Sequence, residues 1–65
     1  MKINYNAEDD ILVIEFSKDK IIKDLSLNWN VNVGMTENGV GEIVILDAKR
    51  DGFLPVELDE AAEVA

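Results

Sequence analysis

Residues 25–46 read LSLNWNVNVGMTENGVGEIVIL, and this stretch decides the fold. From Leu25 to Met35 apolar and polar residues alternate without a break, which is the period of a strand with one buried face. A strand of that length would span about 36 Å at ~3.3 Å per residue, roughly twice the usual strand. We therefore expect a corner within residues 28–30, so that the run forms strands three and four.

The dipeptide Asn38-Gly39 lies between two apolar alternating segments and predicts a β-hairpin. Both residues accept the positive φ that a type I′ turn requires. With a two-residue loop, strand five covers residues 41–46 and Val33 lies opposite Val44. Side chains reverse faces at every residue, so this register fixes which residues share a face.

Upstream of this hairpin, the sequence predicts strands one and two and the start of strand three. Residues 2–5 alternate between polar and apolar, and residues 11–16 are nearly all apolar and β-favouring. A polar turn at residues 17–19 precedes a strand that opens near Lys20. The predicted fold is α+β and β-dominant, a five-stranded antiparallel meander followed by a short C-terminal helix.

We interpret residues 1–65 as a single domain, with the sheet in residues 1–46 and a short turn and acidic helix in residues 47–65. Asp47 is a candidate N-cap for the turn, and Gly52 occupies its stop position. Pro55 suits a helix start. Residues 51–65 contain five acids and no base, so the helix is acidic.

The composition excludes several classes of function. The chain has no cysteine and no histidine, which excludes disulfide scaffolds, Cys/His zinc sites and His-dependent nucleophiles. Its formal net charge of -8 argues against nucleic-acid binding by this chain alone. Because neither a basic, apolar leader nor a membrane-length apolar run is visible, we expect a cytoplasmic protein that does not contact membranes. Nothing in the sequence predicts a cofactor.

The densest polar cluster is the first turn, where the oxygen-bearing residues are Asn6, Glu8, Asp9 and Asp10. Hard cations such as calcium prefer oxygen ligands, so these four residues are weak candidates for a metal site. The spacing is not that of an EF-hand loop, and a solvated hairpin turn is the alternative interpretation. No carboxylate has a visible partner nucleophile, and we predict that the protein is not an enzyme.

Three residues are candidates for a protein interface: Trp29, Ile43 and Ile45. The alternation of Trp29 with its neighbours favours a core position, whereas its place at a corner favours an interface. Strands two and five are apolar on both faces, and one short helix covers only part of one face. We therefore predict a homodimer, the commonest symmetric assembly of small soluble chains.

Two segments carry a resemblance to a known family: MKINYNAEDDILVIEFS at residues 1–17 and EIVILDA at residues 42–48. With the Asn-Gly turn between them they resemble the YuzE-like family, small bacterial and archaeal proteins labelled as a domain of unknown function, numbered 2283. The resemblance implies a small antiparallel sheet with a helical tail and no established activity. It also implies an antitoxin-like or partner role for part of the family.

The functional prediction is a small acidic protein–protein interaction module that forms a homodimer. Its sharpest version is an antitoxin-like partner of a basic protein, because a charge of -8 attracts cationic surfaces over long distances. The alternative is a metal-binding or catalytic domain that uses the acidic first turn.

Overall fold

Five antiparallel strands form where the alternating and apolar segments lie in the sequence. The computed structural model describes residues 1–57. The strands are β1 (Lys2–Asn6), β2 (Ile11–Glu15), β3 (Lys23–Ser26), β4 (Val31–Thr36) and β5 (Gly39–Leu46). The predicted β-dominant antiparallel sheet is confirmed, and the expected corner lies at residues 27–30 between β3 and β4.

The strand order corrects the predicted meander. The order is β1-β2-β5-β4-β3, so β5 lies between β2 and β4 rather than at an edge. Strands β2 to β5 thus have a Greek-key arrangement, in which three hairpin-connected strands return to lie beside a fourth. The connection from β2 to β3 spans three strand spacings, about 14 Å. A polar turn signal at residues 17–19 does not reveal that distance.

The β4–β5 hairpin corrects the predicted register. Thr36 pairs with Gly39, so the turn residues are Glu37 and Asn38 rather than Asn38 and Gly39. A type I′ turn needs a positive φ at both central residues, but neither Glu37 nor Asn38 has one. The positive φ of 112° lies at Gly39, the residue after them. The prediction that Val33 faces Val44 is therefore wrong.

The cause is an irregularity in β5. The register shifts between Gly34 and Met35, because Gly34 pairs with Glu42 while Met35 pairs with Val40. Gly41 is the extra residue of this bulge. One inserted residue reverses the facing of everything beyond it, and Val33 consequently pairs with Ile43.

The observed register divides the strand residues between two faces. The apolar face is defined by Ile3, Tyr5, Leu12, Ile14, Leu25, Val31, Val33, Ile43 and Ile45, and the pair Lys23 and Met35 lies on the same side beside Leu25 and Val33. The mixed face is defined by Asn4, Ile11, Val13, Glu15, Asp24, Asn32, Glu42, Val44 and Leu46. On the mixed face, apolar residues are restricted to β2 and β5, which are neighbours in the sheet.

The core lies on the apolar face. Leu12 and Ile45 are 2% and 6% exposed, and Ala48 covers them from the turn after β5. That turn closes through a hydrogen bond from Asp51 N to Asp47 O of 2.9 Å, and Gly52 ends it with a φ of 86°. Leu54 then packs against the same cluster. The predicted short turn and its glycine stop are confirmed.

Two glycines leave space for the β2–β3 connection on the mixed-face side of the sheet. A Cβ at Gly34 would lie 3.1 Å from Ile21 Cδ1, and a Cβ at Gly41 would lie 2.8 Å from the same atom. Ile21 therefore occupies space that side chains at these two positions would fill. A Cβ at Gly41 would force the side chain of Ile21 or Thr36 to shift, so the close packing favours glycine at the bulge.

The predicted C-terminal helix falls largely on residues 58–65, outside the described part of the chain. Residues 53–57 contain no regular helix or strand. Within residues 1–57, no helix is long and apolar enough to cross a membrane.

Candidate functional site

The apolar face is the candidate interaction site, because its two ends remain accessible to solvent. Ile3 on β1 is 39% exposed and Leu25 on β3 is 38% exposed, although both belong to the row that continues through the sheet centre. Between them Ile14 and Ile43 are half-buried. This row joins β1 to β3, a width of about 19 Å at ~4.8 Å per strand spacing.

A groove opens on this face beside β1. It has a volume of about 510 Å³, and its apolar lining is Ile3, Tyr5, Leu12, Leu54, Pro55 and Val56. The sheet provides one wall and the segment after the 47–52 turn provides the other. Apolar side chains therefore dominate a concave surface that is large enough for a partner's side chains.

The structure separates the three predicted interface residues. Ile43 and Ile45 lie on the apolar face, with Ile45 buried in the core and Ile43 half-buried beside it. Trp29 instead lines a groove with Val44 and Leu46, which belong to the mixed face. A core position for Trp29 is wrong, because 64% of the residue is exposed. The break in the strand at the corner ends the alternation that predicted burial.

The acidic first turn uses its polar side chains internally. Asn6 Oδ1 accepts hydrogen bonds from the backbone N–H groups of Glu8 at 3.0 Å and Asp9 at 3.2 Å. Asn6 Nδ2 donates to Asp9 Oδ2 at 3.4 Å. This is the side-chain-to-backbone pattern by which Asn favours turns. Asp10 points away from the other three, toward Tyr5 and the turn after β5.

Asp10 holds that turn in place. Its Oδ1 accepts hydrogen bonds from the Tyr5 hydroxyl and the Lys49 backbone N–H, each at 2.7 Å. Its Oδ2 accepts from the Arg50 backbone N–H at 3.2 Å. Asp10 itself has a positive φ of 55°, a conformation that Asp tolerates better than most residues. The carboxylate thus caps a turn that lies 39 residues later in the sequence.

These hydrogen bonds change two pKa values. The Lys49 N–H, assisted by Tyr5 and the Arg50 N–H, lowers the pKa of Asp10 because hydrogen bonds to a carboxylate favour its charged form. The hydrogen bond from the Tyr5 hydroxyl to Asp10 raises the pKa of Tyr5, because the hydroxyl proton is shared with an anion. Sequence reasoning assigned the cap to Asp47, whose carboxylate instead lies 3.4 Å from Arg50 Nη2. No local signal relates Asp10 to a turn so distant along the chain.

The carboxylates in the described part of the chain do not form a metal-binding cluster. Within residues 1–57, no three Asp or Glu side chains lie close enough together to hold a metal ion. Glu15 and Glu42 are direct neighbours across β2 and β5 on the mixed face. Asp47 lies in the turn after β5.

Comparison with known proteins identifies the family. The chain matches the family described as "Protein of unknown function (DUF2283)" over residues 2–49, and it belongs to that family. The matched region contains all five strands and the Asp10-capped turn up to Lys49. No curated protein and no solved structure matches the chain. The expected membership of a domain family of unknown function is therefore confirmed.

Proposed function

We propose that this protein is a small acidic protein–protein interaction module that pairs with a second copy through its apolar face. The observation that carries the proposal is an apolar row that crosses the whole sheet and is exposed at both ends, with Val33 buried within it: Ile3, Ile14, Ile43, Val33 and Leu25. Apolar side chains that are exposed at both ends of such a row favour contact with another surface, because their contact with water is unfavourable.

The distribution of charge permits a second copy as the occupant. The chain carries -8 overall, so two copies repel each other at long range. None of the nine residues that define the apolar face is acidic. Two apolar faces can therefore meet without placing carboxylates opposite one another. A two-fold symmetric contact of this kind is self-complementary, since each copy presents the same patch.

Sedimentation at micromolar concentration tests the dimer. The expected species has twice the monomer mass of 7.2 kDa. Ile3→Lys should shift it to the monomer, because a buried ammonium without a partner is unfavourable. Asn4→Lys is the matched control, because it adds the same charge on the same strand but on the mixed face. A folded wild-type monomer, or equal dissociation by both variants, would reject the proposal.

The sharper role is that of an antitoxin-like partner of a basic protein. It is supported by the charge of -8 and by the family resemblance of the two signature segments. Long-range attraction should make association with a cationic partner faster at low salt, with the rate falling as the Debye length shrinks. An association rate that is independent of salt would reject electrostatic steering.

A further inference from the structure

A second surface lies at the corner between β3 and β4. Trp29 lines a groove of about 300 Å³ there, together with Val44 and Leu46 of the mixed face. Leu46 is 40% exposed, so it and Trp29 both present large apolar surface to solvent. We infer that this groove binds a basic, amphipathic segment of a partner protein. An apolar side chain of that segment contacts Trp29, and its cationic side chains contact the carboxylates nearby.

Local hydrogen bonds hold the corner backbone in the conformation that presents Trp29 to solvent. Asn28 Oδ1 accepts hydrogen bonds from the backbone N–H groups of Asn30 at 3.0 Å and Val31 at 2.8 Å. The Ser26 hydroxyl donates to the Asn28 carbonyl at 2.9 Å. A partner therefore does not need to order this backbone when it binds, and that cost of association is avoided.

Asn30 ties the corner to the rest of the sheet. It is 5% exposed, and its Nδ2 donates to the Leu46 carbonyl at 3.2 Å and to Asp51 Oδ2 at 3.1 Å. Leu46 N in turn donates to the Asn30 carbonyl at 2.8 Å. These bonds fix the two halves of the groove, Trp29 on the corner and Leu46 on β5, relative to each other.

The charges around the groove select a basic partner. Arg50 lies over the Trp29 ring at 5.7 Å from the centroid, a cation–π contact. Its guanidinium already lies 3.4 Å from Asp47 Oδ2 and 3.6 Å from Asp51 Oδ1. A third carboxylate, Asp24, accepts a hydrogen bond from the groove residue Asn32 at 3.1 Å. Three carboxylates and one guanidinium leave this site negative, so cationic side chains are attracted to it.

This inference rests on the proposed basic partner and assigns it a surface distinct from the apolar face. The test uses a synthetic amphipathic peptide of Leu and Lys, titrated into the ¹⁵N-labelled full chain. We expect amide shifts concentrated at residues 28–32 and 44–46 and a blue shift of the emission of Trp29, the only tryptophan. A peptide with Glu in place of Lys should not bind.

Matched variants locate the binding site. Trp29→Ala should weaken peptide binding about tenfold or more, as anchor residues do. Leu27→Ala should leave it unchanged, because Leu27 is exposed at the same corner but does not line the groove. Asp24→Asn should weaken binding several-fold, whereas Glu37→Gln, which removes the same charge at the distant hairpin turn, should not.

The outcomes separate this inference from the proposed function. Shifts confined to the apolar face, or equal losses in Trp29→Ala and Leu27→Ala, would reject the groove while leaving a basic partner in place. Absence of binding by the Lys peptide at low salt would reject both. Circular dichroism of each variant checks that its fold is retained.

Discussion

The two faces of this sheet are built from the same five strands but have different compositions. On the apolar face all five strands contribute Ile, Leu, Val or Tyr side chains, and the core forms there. On the mixed face the apolar residues are confined to β2 and β5, with Asn4 and Asn32 on either side. Strands β2 and β5 carry apolar residues on both faces, and they are neighbours inside the sheet rather than edge strands.

The first prediction compares adjacent residues of β2 that face opposite ways. Leu12→Ala should lower the free energy of unfolding by about 2–5 kcal/mol, because it opens a cavity in the core. Val13→Ala should cost only about 1 kcal/mol, since Val13 is half-buried on the mixed face. Urea denaturation at one fixed protein concentration measures both, because dimer stability depends on concentration. Equal losses would contradict the assignment of the core to the apolar face.

The second prediction concerns the bulge that decides which residues share a face. In Gly41→Ala the new Cβ would lie 2.6 Å from Thr36 Cγ2 and 2.8 Å from Ile21 Cδ1. We expect a loss of about 1–3 kcal/mol from overpacking. Val40→Ala, a change at the neighbouring exposed residue, should cost less than about 0.5 kcal/mol. If Gly41→Ala is as mild as Val40→Ala, the close approach of Ile21 is wrong.

The third prediction uses pH to release the cap that holds Ala48 over the apolar face. The pKa of Asp10 is lower in the folded state, so its stabilising contribution is present above the unfolded pKa of about 3.9. That contribution is lost as the pH falls through the folded pKa. We expect the melting temperature of Asp10→Asn to depend less steeply on pH in this acidic range than that of the wild type. Asn tolerates the positive φ at this position, so the backbone is not strained.

Asp9→Asn is the control for this measurement. It removes the same charge from the same turn, but the Asp9 carboxylate accepts a hydrogen bond only from Asn6, at 3.4 Å, among the described contacts. Its acid profile should therefore follow that of the wild type. Identical profiles for the wild type and Asp10→Asn would show that the cap does not contribute.

Much of the sheet could be predicted from the sequence. Alternation located the strands and the corner at residues 27–30, since strand periodicity is a local property. The strand order and the β4–β5 register could not, because both depend on distant contacts. Gly41 appears in the sequence as one of four glycines, and only the register shift between β4 and β5 shows that it forms a bulge.

The candidate site could be predicted only in part, because periodicity along a strand is local whereas the pairing of strands depends on distant contacts. Ile43 and Ile45 are on one face because residues two apart in a strand always are. Ile43 and Ile45 lie on the same face as Val33 and Val31, rather than on the opposite face, because of the bulge alone. The cap by Asp10 joins residues 39 positions apart, a pairing that no spacing rule identifies.

An isotope-filtered NOE experiment tests the central claim, that the apolar face joins two copies. The sample mixes ¹³C-labelled and unlabelled chains, so that only contacts between copies are detected. We expect intermolecular NOEs from the methyl groups of Ile3, Leu25 and Ile43. Intermolecular NOEs from Val13 and Val44 of the mixed face instead, or none from either face, would contradict it.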